Sequence, residues 1–118
     1  MPSSTIADSI SVDIPGNFYM IRDYMQRYGG ETLTVTDDEF LSASSVLSRT
    51  TGLFAEPAAA AAFAGLLSYH RNNRIEDGTD NVVMLTGSGL KDLKSVATII
   101  RMPEAIPPAI EDLKMLIS

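Results

Sequence analysis

The sequence predicts an α/β fold in which a few parallel strands are flanked by helices. Three observations carry this expectation. Helix-period and strand-like segments alternate along the chain, the order that builds a parallel sheet. Asn81-Val82-Val83-Met84-Leu85 is β-branched and apolar, and runs through Thr86-Gly87-Ser88-Gly89 into a helical repeat from Leu90 to Ile100. Glu31 to Thr36 alternates polar residues with Leu33 and Val35, then feeds a second helix. Two or three parallel strands would expose unpaired backbone at both edges, so the sheet is expected to be part of a larger one. Residues 1–118 read as a single segment with no internal boundary.

The elements follow in order. Asn17 to Tyr28 places Phe18, Ile21, Met25 and Tyr28 at three- and four-residue spacing between Pro15-Gly16 and Gly29-Gly30, an amphipathic helix with start and stop signals. After the 31–36 strand, Thr36 and Glu39 form a capping box, and the helix it opens presents Phe40, Ala43 and Leu47 before stopping at Gly52. Leu53-Phe54-Ala55 reads as a brief strand or extended turn. Pro57 sits at the first position of a long helix, where its missing N–H costs nothing. The alanines 58–62 and Gly65 give that helix a smooth face, suited to close approach of a backbone or a flat ligand. A polar loop, 72–81, leads to the second strand. Pro103, Pro107 and Pro108 interrupt the tail before a last helix over Ala109–Ile117.

Composition narrows the function. A net charge of −6 with nine scattered basic residues gives no phosphate-binding surface, so nucleic acid is not an expected partner. Cysteine is absent, which removes disulfides and thiolate metal ligands. The first residues lack the basic-then-apolar pattern of a secretory signal, and the apolar stretch from Pro57 to Leu67 is far shorter than a membrane span, so a cytoplasmic protein is expected. Asp37-Asp38 and Glu76-Asp77 lie in capping or loop contexts and call for no metal.

The turn after the second strand has three readings: a bare strand-to-helix turn, an anion cradle of backbone N–H groups, or a hydroxyl aimed at a cofactor. A Walker loop requires GxxxxGK[ST], and the dinucleotide pattern requires a third glycine where Asp92 stands, so neither phosphate motif fits. The carboxyl edge of a strand in an open α/β sheet is nevertheless where ligands bind.

Three stretches occur together: Thr5-Ile6-Ala7-Asp8-Ser9-Ile10, Gly52-Leu53-Phe54-Ala55-Glu56-Pro57-Ala58-Ala59, and Leu85-Thr86-Gly87-Ser88-Gly89-Leu90-Lys91-Asp92. Together they resemble the C-terminal part of the threonine synthases, pyridoxal-phosphate enzymes of the tryptophan synthase β-like fold. The resemblance runs from about Thr5 to Pro103. FAEPA is shared with related dehydratases, whereas TGSGLKD points more narrowly to threonine synthase. It implies a three-layer αβα domain, pyridoxal 5'-phosphate as cofactor, an amino-acid-like substrate, and a parent lyase reaction converting O-phosphohomoserine and water to threonine and phosphate. It also implies that Thr86 hydrogen-bonds the pyridine nitrogen. A hydroxyl there meets a neutral ring nitrogen without forcing its protonation, whereas an aspartate would favour the pyridinium. Gly87 and Gly89 would let the backbone approach the ring and turn sharply.

The neighbouring residues carry two readings each. Glu56 and Ser88 lie near the cofactor by resemblance; on their own, Glu56 suits a helix N-terminus and Ser88 a turn. Lys91 is either a contact for a substrate phosphate or a solvated lysine at a helix start. His70 reads as a surface residue and not a general base. No residue is assigned a catalytic role.

The resemblance further implies a Schiff-base lysine and a glycine-rich phosphate loop. The lysines Lys91, Lys94 and Lys114 stand outside any such lysine motif, and no second glycine-rich turn is present. The isolated chain is therefore expected to be incomplete and inactive, lacking an N-terminal part or a partner chain, with homo-oligomerisation of the parent left open. The alternatives are a related dehydratase or β-replacement enzyme, and a non-catalytic module that adds strands to a partner's sheet.

Overall fold

The structure, a computed structural model of the chain, describes residues 3–97 and 105–117. Its helices are α1 (Phe18–Tyr28), α2 (Asp37–Thr51), α3 (Pro57–Arg71), α4 (Leu93–Val96) and α5 (Ile110–Ile117), with single 3-10 turns at Asp8–Ile10 and Gly89–Lys91.

Local sequence explains where α2 and α3 begin and end. The Thr36 hydroxyl accepts the Glu39 amide at 3.3 Å while the Glu39 carboxylate accepts the Thr36 amide at 2.8 Å, closing the capping box. Asp37, Asp38 and Glu39 fill the positive end of the α2 dipole, and Gly52, at φ 76°, ends the helix in the left-handed conformation. Pro57 is the first residue of α3.

These two helices form the core. Phe40, Ala43 and Leu47 of α2 meet Ala59, Ala60 and Ala64 of α3, with Ala7 and Ala55 completing the cluster. The small face of α3 is thus covered by protein: alanines let α2 lie close, and a Cβ on Gly65 would come within 3.4 Å of Leu33. Ser44 is buried among them and donates to the Ala55 carbonyl at 3.0 Å, which satisfies its hydroxyl and fastens the 53–55 segment to α2. On the surface, Glu31 accepts from Arg74 at 2.5 Å and from the Tyr69 hydroxyl, while the Arg74 guanidinium lies 4.3 Å from the Tyr69 ring centre.

Among the described residues no strand ladder forms. Among these residues the 31–36 and 81–85 segments, expected to be strands, enter no ladder, and the one β-bridge found is antiparallel, between Ala55 and Ser88. Strandedness requires a neighbour as well as a pattern. The pattern itself persists, since Val82 and Met84 are 89% and 74% exposed while Val83 and Leu85 are half-buried, a two-residue alternation. The radius of gyration is 18.4 Å, against about 13–14 Å for a compact domain of this length. The chain is therefore extended, and α1 buries no residue.

The expected Leu90–Ile100 helix also begins later. Asp92 interrupts it, with φ −137° and a side chain that accepts the Ser95 amide, so α4 starts at Leu93 after a separate 3-10 turn. Residues 98–100 and Pro103 lie outside the described residues.

Candidate functional site

The three stretches singled out in the sequence converge. Phe54–Glu56 pairs with Gly87–Gly89: the Glu56 amide donates to the Gly87 carbonyl at 3.1 Å, and the Gly89 amide to the Phe54 carbonyl at 2.9 Å. Farther along, the Ser95 hydroxyl donates to the Ile6 carbonyl at 3.1 Å, joining the start of the chain to the end of the turn. Sequence separation hides both contacts.

Packing explains the two glycines. A Cβ on Gly89 would lie 2.6 Å from the Phe54 ring, and one on Gly87 would overlap the Glu56 carboxylate. Neither glycine has a positive φ, so space and not backbone conformation demands them. The gaps they leave are filled by Glu56 and Phe54. Their immediate service is to let this chain's own 54–56 segment lie flat on the turn.

Glu56 occupies the N-cap position of α3 but its side chain makes no capping hydrogen bond. Its carboxylate instead lies against Gly87. Ser88 behaves as a turn former, its hydroxyl accepting the Leu90 amide at 3.3 Å. Thr86 and Ser88 are exposed, Gly87 is half-buried and Gly89 buried. Lys91 and His70 are exposed.

A cavity of about 380 Å³ opens between the paired segments, lined by Leu53, Phe54, Ala55, Leu85, Thr86, Gly87 and Ser88. That volume falls in the range of small-molecule sites. Its lining side chains are apolar apart from the Thr86 and Ser88 hydroxyls, a set that suits a planar heteroaromatic ring with one hydrogen-bonding atom. It offers no cation for a phosphate.

Residues 1–87 match the model of the family described as pyridoxal-phosphate dependent enzyme. The chain belongs to this family. Its cofactor is pyridoxal phosphate, and the matched region ends at Gly87, just past Thr86. Relatives include the threonine synthase of Halalkalibacterium halodurans, 35% identical over 104 residues, which are 88% of this chain and 29% of that protein. The threonine synthase of Mycobacterium leprae is 34% identical over 113 residues, 92% of the chain and 31% of that protein. That of Methanocaldococcus jannaschii is 38% identical over 88 residues, 75% and 22% respectively. The chain thus spans under a third of the length of the relatives it matches.

Two features of this family member escaped the sequence reading. Asp37 receives the Thr5 hydroxyl and the Ile6 amide in addition to opening α2, and Ser95 touches both Ile6 and Asp92. Asp37 was visible as a helix-start carboxylate; nothing local marks its second partner. Among the described residues no group of three or more His, Cys, Asp or Glu could hold a metal, and no helix is long and apolar enough to cross a membrane.

Proposed function

We propose that this chain supplies the pyridine-nitrogen side of the cofactor site in a threonine synthase-like lyase. The observation that carries the reading is the apolar, hydroxyl-bearing cavity where the Leu85–Asp92 turn meets the FAEP segment. Thr86 is the residue we assign to the ring nitrogen, with Gly87 and Gly89 shaping the turn and Glu56 and Ser88 near the cofactor. Bound pyridoxal phosphate supplies the electron sink for substrate carbanions. This chain's part is to orient the ring through a hydroxyl that does not force protonation, while Leu53, Phe54 and Leu85 keep water from its face.

The parallel sheet belongs to the same proposal. Segments 31–36 and 81–85 would become strands when the remaining length of the parent enzyme provides their neighbours, within a three-layer αβα domain. The alternating exposure along 82–85 supports that assignment. The schiff-base lysine and the phosphate loop would come from that remaining length, and the isolated chain would be inactive.

Mixing the chain with a separately expressed N-terminal segment of a threonine synthase tests the reaction. Release of phosphate from O-phosphohomoserine with formation of threonine is the expected result. Turnover confined to serine, threonine or cysteine derivatives would move the assignment to a dehydratase or β-replacement enzyme.

A further inference from the structure

We propose that Ser95 and Asp37 are positioning residues for the Thr86 turn, closing a hydrogen-bonded clasp that fastens the far end of the turn to the helical core. The inference rests on the reading of Thr86 as the ring-nitrogen contact. Asp37, the first residue of α2, accepts the Thr5 hydroxyl at 2.6 Å on one oxygen and the Ile6 amide at 3.1 Å on the other. Both carboxylate oxygens are thereby committed to the N-terminal segment. That segment is anchored besides by Ala7, which is buried in the core.

Ser95 joins this anchored segment to the turn. Its amide donates to Asp92 at 3.2 Å, its hydroxyl lies 2.5 Å from the other Asp92 oxygen, and the same hydroxyl lies 3.1 Å from the Ile6 carbonyl. A hydroxyl has one proton, so that proton is shared between two acceptors in a three-centre bond of the kind found at helix ends. An ordinary N-cap would explain Asp92 with Ser95. It leaves the contact to Ile6, 89 residues away, without a purpose.

Geometry supplies that purpose. The near side of the turn is held by a single β-bridge with two hydrogen bonds, an arrangement that fixes an axis but permits rotation about it. A second fastening at Asp92, beyond the 3-10 turn, removes the rotation. Thr86, one residue before the bridged Gly87–Gly89 segment, then keeps one orientation toward the cavity. Unlike the bridge, the clasp makes its hydrogen bonds outside the set of residues that line this cavity, so its substitution changes none of the site's own side chains.

Hydrogen exchange on the full 118-residue chain tests this directly. Ser95→Ala is expected to speed exchange of the 87–91 amides about threefold to tenfold, as loss of one hydrogen bond would. Ser95→Thr, which retains the hydroxyl, should restore the native rate, and α2 and α3 should exchange as before in both. Asp37→Asn should act in the same direction as Ser95→Ala. Exchange at 87–91 that stays native in Ser95→Ala, or a Ser95→Thr chain that exchanges as fast as Ser95→Ala, overturns the clasp. Thr86→Ala separates this inference from the reading beneath it. That variant should weaken pyridoxal phosphate binding in the mixture with the complementing segment and leave exchange unchanged. If it leaves binding unchanged while Ser95→Ala still speeds the turn, the clasp stands and the ring-nitrogen assignment falls.

Discussion

Helices α1 and α3 are made of contrasting material and meet contrasting fates. α1 carries Phe18, Tyr19, Ile21, Tyr24 and Tyr28 within eleven residues, yet buries none of them. α3 is led by alanines and buries Pro57, Ala59, Ala60 and Ala64. Apolar area is only a capacity for burial; what realises it is a surface to lie against. α3 has α2, which its small side chains allow to approach closely. Among the described residues α1 has no comparable neighbour, and its aromatic rings meet one another instead, Phe18 and Tyr19 edge to face and Tyr24 and Tyr28 stacked.

Substitutions on the two sides of this contrast should differ most sharply in the core. Phe40→Ala, at a side chain 2% exposed, should cost about 3–5 kcal/mol in urea denaturation, because it opens a cavity between α2 and α3. A loss under about 1 kcal/mol would mean that this pair is no better packed than α1, contrary to the comparison.

The glycine turn should follow. Gly89→Ala sets a methyl against the Phe54 ring and is expected to cost about 1–3 kcal/mol, the range for overpacking. Gly87→Ala meets the end of a flexible glutamate, which can swing aside, so its effect on the denaturation midpoint should be smaller. The reverse order would contradict the packing described for Phe54 and Glu56.

Acidification should release a still smaller contribution. The Thr36 amide, and after it the Arg71 guanidinium, hold the Glu39 carboxyl below its ordinary 4.5; the Arg74 and Tyr69 hydrogen bonds do the same for Glu31. A folded-state value that is depressed adds stability above the unfolded value, and that stability is lost as pH falls through the folded one. Glu39→Gln should therefore flatten part of the decline in denaturation midpoint below about pH 4.5. An unchanged pH profile would show that the charge on Glu39 contributes nothing at the start of α2. Smallest of all, Phe18→Ala, at a residue already 51% exposed, should shift stability by less than about 0.5 kcal/mol.

The elements readable from the sequence were those whose signals are local. Thr36 with Glu39, Gly52 and Pro57 mark helix ends within a few residues, and α1, α2 and α3 lie where these signals place them. Segments 31–36 and 81–85 have strand patterns, but a ladder depends on residues elsewhere. The end of the turn is not legible for a different reason: the apolar repeat is continuous from Leu90, while the capping side chain of Asp92 delays the helix to Leu93. At the site, the TGSGLKD and FAEPA stretches could be recognised individually. Their pairing through Ala55 and Ser88, the Glu56 carboxylate lying on Gly87, and the Ser95–Ile6 contact are long-range events that no periodicity announces.

The central claim is tested most directly by titrating pyridoxal phosphate, by absorbance and fluorescence, into the chain mixed with the complementing N-terminal segment of a threonine synthase. Saturable binding should be weakened about twofold to tenfold by Thr86→Ala, the effect of losing one hydrogen bond, and retained by Thr86→Ser. Binding by Thr86→Ala as tight as that of the native chain would contradict the assignment of this turn to the cofactor's ring nitrogen.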